Sequence, residues 1–148
     1  MRNLLPAALL LATACGGRTG SAPTAPVASS AEAVTAFMRA AADSNLTRMA
    51  QLWGTERGPV SEVPLDNYEK RVAVMQAYLR GDSARIVSDI ASTEDPNRRR
   101  LTVALYRGTC VKQIPFTTVR IKSGGWIVES VDLSAAGNPA RPCEPGSE

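Results

Sequence analysis

The stretch that decides the fold is Arg98–Leu133, RRRLTVALYRGTCVKQIPFTTVRIKSGGWIVESVDL. Apolar and polar residues alternate along it, and β-branched and aromatic types are frequent. Alternation of this kind is the mark of strands with one buried face. Gly108 and Gly124-Gly125 interrupt the run, so it predicts three antiparallel strands. Leu101, Val103 and Leu105 share one face of the first, with Thr102, Ala104 and Tyr106 on the other. Gly108-Thr109 opens a loop that carries Cys110. Pro115 is expected at the start or edge of the next strand, where a missing N–H donor costs least. That strand continues through Phe116 to Lys122. Ser123-Gly124-Gly125 is a tight hairpin turn, and Trp126–Leu133 is the last strand.

Upstream, Ala84–Ser92 (ARIVSDIAS) predicts a fourth strand, with Ile86, Ser88 and Ile90 on one face and Val87 and Asp89 on the other. A turn centred on Asp95-Pro96 joins it to Arg98. Before the strands, the apolar spacing changes from two to about 3.6. Ser29-Ser30-Ala31-Glu32 forms a capping box ahead of Val34, Phe37, Met38 and Ala41. A second, short helix carries Leu46, Met49, Ala50 and Trp53, with Gly54 as its C-cap. Thr55–Pro64 is a loop. Asp66-Asn67-Tyr68-Glu69 has the form of another helix start. Tyr68, Val72, Met75 and Leu79 then make one stripe, Val74 and Tyr78 flank it, and Gly81 ends the helix. Strands joined by short loops must be antiparallel. A sheet with one apolar face needs a cover, and the three helices are the cover available. The expected fold is α+β: three N-terminal helices packed on a curved antiparallel sheet of about four strands, cone-shaped.

The N-terminus reads as an address. MRNLLPAALLLATAC has one basic residue, Arg2, and an apolar run from Leu4 to Ala12. The run is much shorter than the roughly 20 residues of a membrane span. Residues 1–14 are therefore a signal peptide, excluded from the fold. Cys15 follows the small residue Ala14, which resembles the lipobox of bacterial lipoproteins. The resemblance implies that Cys15 becomes the lipid attachment point, although Ala12 stands where Leu is usual. Ala12-Thr13-Ala14 also fits ordinary signal cleavage, which would give a secreted soluble protein with a free Cys15. Residues 15–29 are a flexible tether of Gly, Ser, Thr, Pro and Ala, residues 30–133 the folded domain, and residues 134–148 a Pro/Gly-rich tail.

With 148 residues the chain is one domain's length, and its net charge of +3 offers no strongly basic face for nucleic acid. There is no histidine, which removes the commonest general base and metal ligand together. The three cysteines, Cys15, Cys110 and Cys143, form no CxxC pair, so no metal or cofactor is implied. In an oxidising compartment, and with Cys15 acylated, the two cysteines left over, Cys110 and Cys143, make one pair, the alternative being two free thiols. Closing a loop of about 30 residues contributes on the order of 3 kcal/mol.

Ala33–Gly54 (AVTAFMRAAADSNLTRMAQLWG) and Gly124–Leu133 (GGWIVESVDL) resemble the opening helix and closing strand of the nuclear transport factor 2-like superfamily, which includes ketosteroid isomerase and the SnoaL-like proteins. The likeness spans about Ala31–Leu133. It implies a pocket between sheet and helices, with Trp53, Tyr78, Phe116 and Trp126 as candidates for its wall, each of which core packing would equally explain. Enzymes of that superfamily commonly use an Asp or an Asp–His pair, and here the His half is impossible. Asp89, Glu129 and Asp132 lie on strands, but no motif brings them together. Arg98-Arg99-Arg100 reads as a solvated strand start, or as a contact for lipid headgroups. The leading expectation is a non-catalytic binding or protein-interaction module, lipid-anchored in the bacterial cell envelope at the outer membrane or cell surface. Its partners would be the membrane, through the N-terminal lipid, and a small apolar ligand or an envelope protein. The alternative is a pocket enzyme of the isomerase or dehydratase kind using a strand carboxylate.

Overall fold

A computed structural model describes residues 26–144. The signal peptide, Cys15 and most of the tether lie outside the described residues, as does the end of the tail. The elements are α1 (Ser30–Ala42), α2 (Leu46–Leu52), β1 (Gly54–Thr55), β2 (Gly58–Pro59), α3 (Tyr68–Leu79), β3 (Ser83–Ala91), β4 (Arg98–Arg107), β5 (Cys110–Arg120), β6 (Trp126–Val131) and a short 3-10 turn (Leu133–Ala136). Strands β3 to β6 form one antiparallel sheet in sequence order, and the three helices pack against it. The fold is the expected α+β arrangement of three helices and four strands.

Local chemistry explains most boundaries. Ser29 caps α1 by accepting the Glu32 N–H at 3.2 Å, and Asn45 caps α2 by accepting the Arg48 N–H at 2.9 Å. Three expectations fail here. Gly54 is no C-cap: Trp53 ends α2 in extended backbone, bridges Val128 in parallel, and leads into the small hairpin β1–β2 inside the expected loop. A side chain on Gly54 would collide with the Gly58 backbone, so close approach is what requires glycine. Asp66–Glu69 is no capping box either. Asn67 is left-handed (φ +55°), and its side chain makes no cap hydrogen bond. The helix then ends at Leu79, with Arg80 extended, ahead of Gly81.

The sheet holds the larger surprises. Ile86 pairs with Val103 but Ser88 pairs with Thr102, so Val87 is an extra residue in β3. A bulge breaks the two-residue period and moves every later side chain to the opposite face. Ile90, expected beside Ile86, lies opposite Arg100 and is 62% exposed. Asp89, expected on the other face, lies opposite Leu101 on the helix side. A second bulge, at Glu129 in β6, lies between the pairs Thr117–Ser130 and Thr118–Val128. Cys110 is not in a loop. It pairs with Arg107 across the two-residue turn Gly108-Thr109, where Gly108 supplies a φ of +56°. Pro115 is therefore deep within β5, opposite Thr102. Its carbonyl accepts the Asp132 N–H at 2.9 Å. A strand residue's N–H and C=O point the same way, so the missing donor faces the place where β6 ends.

The core closes the space under the sheet. Leu101, Val103 and Leu105 are all at most 2% exposed, as the alternation predicted. Phe37 of α1 meets Phe116 of β5 edge-on, with ring centroids 6.4 Å apart. The tail has two holds. Cys110 and Cys143 are joined in a disulfide with Cα atoms 5.4 Å apart. Ala136 is fully buried, and its carbonyl accepts from Arg107 at 2.7 Å. The sequence offered only Cys143 as a reason for the tail to be fixed.

Candidate functional site

The four aromatic residues do not converge on one cavity. Phe116 is spent in the core against Phe37. Tyr78 is partly buried on α3, and its carbonyl accepts from Arg107. Trp126 opens β6 at the opposite end of the sheet, where its backbone N–H donates to the Val27 carbonyl at 2.9 Å. Trp53 ends α2, donates its indole N–H to the Glu129 carbonyl at 3.1 Å, and lies under the Arg71 guanidinium at 4.6 Å from the ring centroid. A cation over an indole face is attracted by the ring quadrupole.

Among the described residues, two clefts lie between a helix and an edge of the sheet. One, of about 380 Å³, runs between α1 and the edge strand β3, over Val34, Met38, Ile86 and Leu105, with Arg39 on its rim. The other, of about 330 Å³, runs between α3 and β6. Trp53, Met75, Val131 and Leu133 provide its apolar lining, and Lys70 and Arg71 its charged mouth. The ring of Trp53 was legible as a wall residue. The two cations were not, because they sit one and two residues off the apolar stripe and read as a solvated helix face.

Asp89 and Glu129 lie on β3 and β6 as expected, whereas Asp132 follows β6 and caps the 3-10 turn; all three are engaged. Asp89 accepts from Arg99 Nε at 2.6 Å and from the Ser30 hydroxyl at 3.1 Å. Glu129 takes a bidentate grip from Arg98 at 2.8 Å on each oxygen. Arg98 also binds Asp95, and these two carboxylates raise its pKa further above the ordinary arginine value. Asp95 is held below the ordinary carboxylate value first by the Asn97 backbone N–H and then by Arg98. Asp132 is lowered chiefly by its hydrogen bond from Ser134. Two members of the Arg98-Arg99-Arg100 run are therefore ion-paired structural residues.

Arg107 was missed altogether. It is only 8% exposed and donates to the carbonyls of Tyr78, Arg80 and Ala136. It thereby caps the end of α3 and pins the tail. Burial pushes its pKa down, yet a guanidinium remains charged. Its one signal in the sequence is position: it continues the helix-facing row Leu101, Val103, Leu105.

Among the described residues no group of three or more Cys, Asp or Glu side chains could hold a metal ion, and no helix is long and apolar enough to cross a membrane. No family model matches the chain, and no curated protein or solved structure matches it.

Proposed function

We propose that this chain is an exported binding or protein-interaction module of the bacterial cell envelope, held to the membrane by a lipid at Cys15 and built on a nuclear transport factor 2-like cone. The observation that carries the reading is the state of the cone. Its helix-facing floor is occupied by Phe37, Leu101, Val103, Ile114 and Phe116, all at most 1% exposed. The acids a pocket enzyme would draw on are held by Arg98, Arg99 and Ser134. A carboxyl group poised for proton transfer needs an apolar site free of such partners. The disulfide is consistent with an extracytoplasmic, oxidising location. The Ala14-Cys15 junction and the Gly/Ser/Pro-rich run after it supply the anchor and the tether. Recognition by such a module falls to its outer surfaces and flanking clefts.

The test is membrane partitioning of the full chain expressed in a bacterium that processes lipoproteins. Wild type is expected in the membrane fraction, released by detergent and not by salt. Cys15→Ser is expected in the soluble fraction. Unchanged partitioning of Cys15→Ser would sink the lipid-anchor reading.

A further inference from the structure

We infer that the cleft between α3 and β6 is a binding site for a single-chain amphipathic anion, a fatty-acid-like carboxylate. This deepens the binding-module reading by naming its ligand class, and it does not depend on the lipid at Cys15.

The argument starts from α3. Val72, Met75 and Leu79 make the buried stripe, and the helix rests on the core through them. Val74 lies off that stripe and is 41% exposed. One turn earlier, at the i−4 and i−3 positions, stand Lys70 and Arg71. Across the gap β6 offers Val131, and Leu133 follows it in the 3-10 turn. The result is a trough with an apolar floor and two cations along one wall. Its volume of about 330 Å³ lies within the usual range for small-ligand sites, which are mostly apolar with a few placed polar groups.

Charge selects the ligand. Among the described residues, Lys70 has no carboxylate within ion-pair distance, and Arg71 is stacked on Trp53. The one acid lining the trough, Glu129, is already neutralised by the bidentate Arg98. The trough therefore presents net positive charge beside hydrocarbon. A carboxylate can reach Lys70 and the outer edge of Arg71 while its chain covers Val74, Met75, Val131 and Leu133. A neutral alcohol gains only the second contribution. A trough of about 330 Å³ has room for a single chain and not for a bilayer surface, so the occupant is the free amphiphile.

Trp53 provides the reporter. The chain has two tryptophans, so Trp126→Phe leaves Trp53 as the sole indole. The full chain carrying Cys15→Ser and Trp126→Phe would be titrated with dodecanoate below its critical micelle concentration. Dodecanol and phosphatidylglycerol vesicles form the comparison arms. The expected result is a saturable change in Trp53 emission with dodecanoate, at least about tenfold tighter than with dodecanol and weakened by salt. Lys70→Gln with Arg71→Gln should bring dodecanoate to the level of the alcohol. Val74→Asp should abolish both signals. Ser130→Trp, followed by calorimetry, fills the trough from the strand side and guards against a Val74 variant that fails to fold. Equal binding of dodecanoate and dodecanol, binding untouched by the trough variants, preference for the vesicles, or no saturation would each overturn the inference. Loss of the Cys15 anchor leaves this titration unaffected, so the two readings can fail separately.

Discussion

Arg99 and Arg107 stand at the two ends of one row on β4, flanking Leu101, Val103 and Leu105 on the helix side of the sheet. They look equivalent in the sequence. Arg99 keeps a third of its side chain in solvent and meets the Asp89 carboxylate. Arg107 is buried and meets three neutral carbonyls, at the end of α3 and in the tail. The difference teaches where a cation does structural work. An exposed ion pair exchanges one set of favourable contacts with water for another. A buried guanidinium satisfies carbonyls shielded from water, here at the end of a helix and in the tail.

The sharpest way to break this comparison is to truncate both residues. Arg107→Ala is expected to cost about 3 kcal/mol or more, since three carbonyls lose a charged donor. Urea denaturation should show the loss as a lower midpoint. Arg107→Lys should recover only part of it, because an ammonium cannot reproduce the planar fork. Arg99→Ala should cost less than about 1 kcal/mol, as Asp89 keeps the Ser30 hydroxyl and gains water. Equal losses at the two positions would end the argument.

Acid sharpens the contrast, with the smallest effect of the three. Asp95 and Asp132 have folded-state pKa values below the ordinary 3.8. The folded state therefore binds fewer protons than the unfolded one in that range. Their contribution is fully present above pH 3.8 and is lost as pH falls through the lowered folded values. Asp95→Asn together with Asp132→Asn should flatten the acid limb of a stability–pH profile. The hold of Arg107 on its carbonyls involves no acid and should persist there.

How much of this was legible depends on what each feature needs. The period-two run at Arg98–Leu133 and the 3.6-period stripes of α1 and α3 are local patterns, so fold class, element order and the buried face of β4 could be read directly. Counting left Cys110 and Cys143 either as one pair or as two free thiols, and the fold, which brings their Cα atoms to 5.4 Å, joins them. The faces of β3 could not be read, because the bulge at Val87 is decided by how β3 meets β4 and carries Asp89 to the helix side. Asn67, Gly54 and Gly81 carried local signals for caps, and tertiary contact used each one differently.

The sequence by itself determined the alternation, the helical stripes and the absence of histidine, because each is read from the residues without knowing how distant segments meet. Only the tertiary structure decided that Arg107 is buried, that the tail is held twice, and that Lys70 and Arg71 of α3 stand beside the apolar residues of β6. Those facts join segments far apart in the chain, and packing brings such segments together where no local pattern records it.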